Sequence, residues 1–265
     1  MHEPIRKYWY ADNPIISAFF NGLSVAIPEI ERFIVGSVRE TYPHIKNKEL
    51  ETSVHILAHE EEAHARVHDA YNTLLRKQGY KISKFEAIEH RIAEFFNTKS
   101  IKTRLAVCVC SEFYTAVMSR HVLTSRAVEV PGVDERMRAL WTWHALEELH
   151  HRSTAFDLYL DQGGGYFRRT GLMLFMTVRW LLAHVFASLA ILRQSKAKID
   201  FKTFWHGAGF IMGTNGFYTN IIPHWFAFFK PGFHPRKDIK LEEGLDADLH
   251  HFHVEKHFVE MVEAM

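Results

Sequence analysis

Glu61-Glu62-Ala63-His64-Ala65-Arg66-Val67-His68 is the stretch that decides the fold of this 265-residue chain. At about 100° per residue, a helix turns Glu61, His64 and His68 to nearly one side, so one face presents a carboxylate and two imidazoles. The same grammar returns at Glu148-Leu149-His150-His151, with His144 and Trp141 on that face one and two turns earlier. Each pair follows a helical stretch in which a single Glu sits among apolar neighbours. These are Glu31 in Pro28-Glu29-Ile30-Glu31-Arg32-Phe33 and Glu112 in Cys108-Val109-Cys110-Ser111-Glu112-Phe113-Tyr114-Thr115. The resulting order, Glu, Glu-x-x-His, Glu, Glu-x-x-His, is the ligand order of a dinuclear carboxylate centre inside a four-helix bundle. An all-α bundle around a dinuclear metal site follows as the expected fold.

The expected ligands are Glu31, Glu61, His64, Glu112, Glu148 and His151. Four buried carboxylates without cations are very costly, whereas two divalent ions cancel four negative charges. Carboxylates bridge two ions, and one imidazole per ion keeps the site borderline and redox-capable. Two Fe ions are expected, with Mn or Zn as alternatives. Adjacent acids and imidazoles leave the register open: Glu60 and Glu62 compete with Glu61, Glu147 with Glu148, His150 with His151, and Glu29 with Glu31. One Glu-x-x-His alone would be an ordinary solvated face; it is the repetition that points to metal. His68 is either a seventh ligand or a donor that orients one. His144 and Asp157 are expected behind the ligands or along the pocket, and Cys108 as a small buried hydrophobe. His250, His253 and His257 also share a helical face, but Glu255, Lys256, Glu260 and Glu263 make that segment an exposed terminal helix.

Working outward, Gly and Pro are scarce before residue 160, and apolar residues recur at three and four. Helices are expected over Asn13–Thr41, with Pro28 kinking the middle, then Lys48–Gln78, Lys84–Asn97, Ile101–Glu129 and Asp134–Leu160, the last closing at Gly163-Gly164-Gly165. Residues 1–165 form the metal-binding bundle and 166–265 an apolar and aromatic helical extension packed on it. The run from Gly171 to Leu192 is long enough to span a bilayer. Arg179 near its centre costs about 2.5 to 3.5 kcal/mol on insertion, and basic residues flank both ends, so it reads as a helix that packs rather than spans. Phe201 to Phe229 reads as short helices and loops or an interfacial surface.

Composition excludes several classes. Lys+Arg 32 against Asp+Glu 31 leaves a net charge of +1, too small an excess for nucleic acid. Cys108 and Cys110 cannot build a disulfide framework, and no basic start with an apolar run and cleavage site is visible. A cytoplasmic protein is expected, peripheral to the inner membrane if the apolar half touches lipid. Nucleophile elbow, Walker loop and dinucleotide fingerprint are missing, and Ala63 stands where a zincin helix beginning at His59 needs its second histidine.

Ile27-Pro28-Glu29-Ile30-Glu31-Arg32-Phe33 with Ser37-Val38-Arg39, Glu61-Glu62-Ala63-His64 with His68 and Asn72, Trp143-His144-Ala145-Leu146-Glu147-Glu148 with His151 and Phe156-Asp157, and Pro231-Gly232-Phe233-His234-Pro235 together resemble a bacterial family of predicted metal-dependent hydrolases. The resemblance covers most of the chain. Ile30 and Glu60 depart from it, standing where a small Gly-like residue and a Gln are expected, and leave the ligands intact. The ligand arrangement also resembles ferritin-like di-iron oxygenases and oxidases, including arylamine oxygenases whose extra His is similar to His68. That resemblance implies a ferritin-like four-helix bundle with additional C-terminal helices.

Three functions compete. The leading expectation is an O₂-activating di-iron oxygenase or oxidase acting on a small apolar substrate, with an electron donor or a homodimer as partner. The alternatives are a dinuclear hydrolase of esters or phosphates and a non-catalytic metal-binding or membrane-peripheral protein.

Overall fold

The structure is a computed structural model that describes residues 3–239 and 254–264. It is all-α. Among the described residues the only pairing of extended backbone is a single bridge between Tyr10 and Val133. The helices are α1 (Pro14–Arg39), α2 (Lys48–Lys77), α3 (Ser83–Asn97), α4 (Ile101–Thr124), α5 (Glu135–His151), α6 (Thr154–Asp161), α7 (Tyr166–Ser195), α8 (Phe201–Met212), α9 (Phe217–Phe228), the single turn α10 (Pro235–Asp238) and α11 (Val254–Glu263).

The helix starts follow from local chemistry. Asn13 Oδ1 accepts from the Ile15 and Ile16 amides at 3.0 and 3.2 Å, and Pro14, whose missing N–H costs nothing there, opens α1. Asn47 and Asp134 cap α2 and α5 in the same way. Gly79 ends the α2 region with φ +92°, where a side chain would be strained. Helix α1 runs continuously through Pro28.

Two boundaries depart from the sequence pattern because tertiary contacts override it. Helix α4 stops at Thr124, short of the expected Glu129. Arg126 takes the left-handed conformation (φ +51°), Tyr10 Oη donates to the Ala127 carbonyl, and the bridge to Val133 ties the segment to the N-terminal strap. The expected helix over Asp134–Leu160 is broken at Arg152-Ser153. No helix-breaking residue stands there. Instead, α6 turns to pack on α4 and α2, with Asp157 Oδ1 2.8 Å from His234 Nε2 and Arg236 donating to Ser153 Oγ.

Helices α1, α2, α4 and α5 surround the buried polar cluster, with α1 against α2 and α4 against α5. The long α7 lies across α1 and α4. Its approach is closest at Gly22, where a Cβ would sit 2.1 Å from Ser188 Oγ and 3.0 Å from the Ser188 nitrogen, so only glycine fits without moving the helix. Helix α9 runs beside α7, with Tyr218 on His184 and Trp225 on Thr177, and α3 flanks the other side through Glu89 and Arg179. The terminal helix differs from its expected exposed character. Phe258 and Val262 are buried, and Lys77 and Arg66 of α2 hold the Val262 carbonyl and Glu255. His257 is exposed and away from the cluster, while His250 and His253 lie outside the described residues.

Candidate metal centre

The two Glu-x-x-His segments face each other across the bundle. Glu61 and His64 come from α2, Glu148 and His151 from α5, Glu31 from α1 and Glu112 from α4; all six are buried. Their donor atoms form two groups, each with its atoms within 4.8 Å of one another: Glu31, His64, His144 and Glu148 in one, Glu61, Glu112, Glu148 and His151 in the other. Glu148 belongs to both. Within them His64 Nδ1 lies 3.8 Å from both Glu31 and Glu61 and 3.5 Å from Glu148, and His151 Nδ1 is 2.8 Å from Glu61 Oε1.

The protein does not satisfy this cluster by itself. Oε2 of Glu31, Glu61, Glu112 and Glu148, and Nδ1 of His64, are buried without a hydrogen-bond partner. Native interiors seldom tolerate that many orphaned polar atoms in one place. In the metal-free protein, burial pushes the Glu31 and Glu112 carboxyls well above the ordinary range. Burial pushes Glu148 the same way, but the charge of the His64 imidazole, whose Nδ1 lies 3.5 Å away, draws that carboxyl below the ordinary range. His64 and His151 are desolvated too, yet bonds to Glu147 and Glu60, reinforced by the inner carboxylates, raise both imidazoles well above their usual value. Protons thus take the place that cations fill in such a cluster, and the donor set fits metal ions.

A second layer supports the first. Glu147 Oε2 is 2.8 Å from His64 Nε2, and Trp143 Nε1 donates to the other oxygen of Glu147. Glu60 holds His151 Nε2 in the same manner. Each imidazole therefore gives its outer nitrogen to a carboxylate and turns Nδ1 inward, the carboxylate–histidine arrangement that fixes metal-binding tautomers. Sequence reading treated Glu60 and Glu147 only as rivals in register. The signal was their identical offset, one residue before each motif acid.

His68, expected as ligand or orienting donor, stands outside both groups, and His144 stands inside one. Asn72 Nδ2 donates to the Ser24 carbonyl, which fixes its amide, and Ser24 Oγ donates to Asn72 Oδ1. His68 Nδ1, 2.9 Å from Ser24 Oγ, must then be the donor, leaving Nε2 to accept from His144 Nδ1 at 3.2 Å. Burial and neighbouring imidazoles push both His68 and His144 down, so each is neutral with one proton. His144 Nε2 consequently carries a bare lone pair, facing Glu148 Oε1 at 3.3 Å. Two acceptors at that distance require something positive between or beside them. Asp157 pairs with His234 on the outer side of α6 and belongs to neither group.

Above the cluster is a cavity of about 60 Å³ whose walls include Phe20, Leu23, Ile27, Trp141, Trp180 and Phe217. Among the described residues no Lys or Arg lines it.

A family model described as "Predicted metal-dependent hydrolase" matches residues 1–238. The chain belongs to that family of predicted metal-dependent hydrolases. No curated protein and no solved structure matches it. Membership corrects the functional order drawn from sequence, in which a di-iron oxygenase came first and a hydrolase second. The physical reason for the error is that paired carboxylates and imidazoles hold Lewis-acidic ions as readily as redox ions, so ligand type does not select redox chemistry. A metal-ion site in an all-α chain is what the predicted metal-dependent hydrolase family and the buried cluster jointly support.

Proposed function

We propose that the chain is a dinuclear metal-dependent hydrolase of uncharged, apolar carboxylic esters. The observation that carries this reading is the pair of donor groups sharing Glu148, with four orphaned carboxylate oxygens beneath an apolar cavity. Glu31, His64, His144 and Glu148 would hold one divalent ion, and Glu61, Glu112, Glu148 and His151 the other. Mn(II) and Zn(II) suit the mixed oxygen and nitrogen donors. Ions bound there supply Lewis acidity, which polarises a carbonyl and makes a water acidic enough to attack it near neutral pH.

The remaining work belongs to the chain. Glu147, Glu60 and His68 fix which nitrogen of His64, His151 and His144 faces inward, so the donors are oriented before anything binds. Phe20, Trp141, Trp180 and Phe217 exclude bulk water and keep the dielectric low around the reacting group. A cavity of this size takes the scissile group and not a whole substrate. Esters are favoured over phosphates because, among the described residues, no guanidinium or ammonium lines the cavity to meet a phosphoryl anion.

The test is turnover of p-nitrophenyl acyl esters and p-nitrophenyl phosphate by chain stripped with chelator and reloaded with Mn(II) or Zn(II) under nitrogen. Ester cleavage that needs metal, ignores oxygen and disappears in Glu148→Gln is expected. Phosphate cleavage without ester cleavage, or ester cleavage that survives chelation, would refute the reading.

A further inference from the structure

One face of the molecule, apart from the metal cluster, has no protein partner among the described residues. Helix α7 exposes Phe167, Leu174, Val178, Leu182, Phe186 and Leu189, with Phe167 86%, Val178 60% and Phe186 59% accessible. At about 100° per residue these side chains fall within an arc of roughly 120°, and the 22 helical rises from Phe167 to Leu189 make a stripe about 33 Å long. The stripe borders a groove of about 1030 Å³ between α7, α3 and α1, to which Phe85, Ile88 and Ile92 contribute. Monomeric proteins rarely expose so continuous an apolar surface, and such surfaces mark contacts.

Charge selects the occupant. Helix α7 contains no Asp or Glu. In its last turn and just beyond it, Arg193, Lys196, Lys198 and Lys202 face only Asp200 in the same stretch, and Phe201 and Trp205 are exposed beside them. Arg168 stands at the other end of the helix, where Tyr166 donates to the carbonyl of Phe229, the residue before Lys230. The polar interruptions of α7 are paired within the protein: Arg179 with Glu89 in the wall of the groove, His184 with Phe19 and Tyr218, and Thr177 with Tyr114. A second copy is a poor match. Antiparallel pairing of two α7 stripes would set Arg193 and Lys196 against the partner's basic end, and parallel pairing would set each basic end against itself. A surface with apolar depth and negative headgroups answers both features at once.

We propose that the α3–α7 face docks this protein on an anionic phospholipid bilayer, with α7 lying along the surface. One side of α7 stays packed on α1 and α4 throughout, as at Gly22 and Ser188, so it rests in the interface and does not cross. Docking there would also bring the lipid close to the metal cluster: Ala26 lines both this groove and the cavity above the carboxylates. The proposal stands on surface geometry and charge and does not depend on the hydrolytic reading.

The experiment is co-sedimentation of the full-length chain with phosphatidylcholine vesicles, with and without phosphatidylglycerol, alongside analytical ultracentrifugation without lipid. Wild type should be monomeric and bind the phosphatidylglycerol vesicles at least about tenfold more tightly, since each basic residue near such a surface is worth about 1 kcal/mol. Val178→Glu/Phe186→Glu should lose binding to both compositions, and Lys196→Glu/Lys198→Glu should lose the preference for anionic lipid. Both variants should keep the wild-type melting temperature and metal content, because those four side chains are outside the packed core. Overturning results would be undiminished binding by Val178→Glu/Phe186→Glu, a wild-type monomer that ignores both vesicles, a dimer that this variant dissociates, or a membrane-bound form that carbonate fails to release.

Discussion

Replacing Glu148 by Gln should empty both ion positions, whereas Glu31→Gln and Glu112→Gln should each empty one. Glu148 offers its carboxylate to both donor groups, Glu31 to the first alone and Glu112 to the second alone. A supporting residue one bond removed from the metal already changes affinity by about 10- to 100-fold. Losing a ligand oxygen with its charge should exceed that. The three variants also differ without metal. Burial pushes the Glu31 carboxyl well above its ordinary range, toward the neutral acid that Gln imitates, and stability should change by about 1 kcal/mol or less. Glu148, despite the same burial, is drawn toward the ionised form by the raised imidazole of His64. Its amide variant leaves the raised, buried imidazole of His64 short of a counter-charge, and breaking a buried pair from one side costs about 3–5 kcal/mol. The assays are mass-spectrometric metal content after reloading with Mn(II) or Zn(II) and desalting, and urea unfolding of the stripped proteins. Equal metal loss in all three variants, or two ions retained by Glu148→Gln, would refute the shared-carboxylate arrangement. Equal destabilisation of Glu31→Gln and Glu148→Gln would refute the charge assignment.

Glu60→Gln and Glu147→Gln should weaken metal binding by about 10- to 100-fold while leaving two ions at saturating metal, as isothermal titration would read, because each acid orients an imidazole without donating to the ion. Glu89→Ala should cost about 3–5 kcal/mol by leaving Arg179 buried and unpaired, and Glu89→Leu/Arg179→Met should recover most of it in denaturant melts. His184, which donates to the Phe19 carbonyl and accepts from Tyr218, is lowered by burial to about 4. The unfolded chain binds its proton near the ordinary value of 6.5 and the folded chain does not, so stability is constant above that pH and falls as pH drops from 6.5 toward 4. That fall, at most about 3 kcal/mol, should shrink in His184→Asn when urea midpoints at pH 7 and pH 5 are compared.

The bundle was legible because helical spacing is a local property. Glu61 and His64, or Glu148 and His151, share a face whatever surrounds them, and the scarcity of Gly and Pro left few places for helices to end. Boundaries set by distant contacts were not legible. Nothing between Asp134 and Leu160 announces the break at Arg152, which follows from Asp157 meeting His234 far along the chain. Nor does the run to Glu129 announce the stop at Thr124, which depends on Tyr10 and Val133. The same limit governed the site. Glu31 and Glu112 stood out because a carboxylate among apolar neighbours is conspicuous in sequence, and the fold places both in the buried cluster. The choice between His68 and His144 required knowing that Ser24 and Asn72, on two other segments, fix the proton of His68 and so hand the inward lone pair to His144.

The two halves of the site are related and then made unequal. Glu60, Glu61 and His64 recur as Glu147, Glu148 and His151, each 87 residues later, and the outer acid of each set holds the imidazole of the other across the α2–α5 interface. A site with only these residues and Glu31 and Glu112 would present two equivalent positions. His144 breaks the equivalence, since Leu57 stands at its counterpart 87 residues earlier, and Ala155 stands at the counterpart of His68. One donor group therefore has two imidazoles and two carboxylates, the other one imidazole and three carboxylates. The nitrogen-rich position suits a borderline ion that polarises, and the carboxylate-rich position a harder ion kept more negative. In the proposed Lewis-acid pair the two positions would therefore differ in net charge, the nitrogen-rich one being the better placed to polarise a carbonyl.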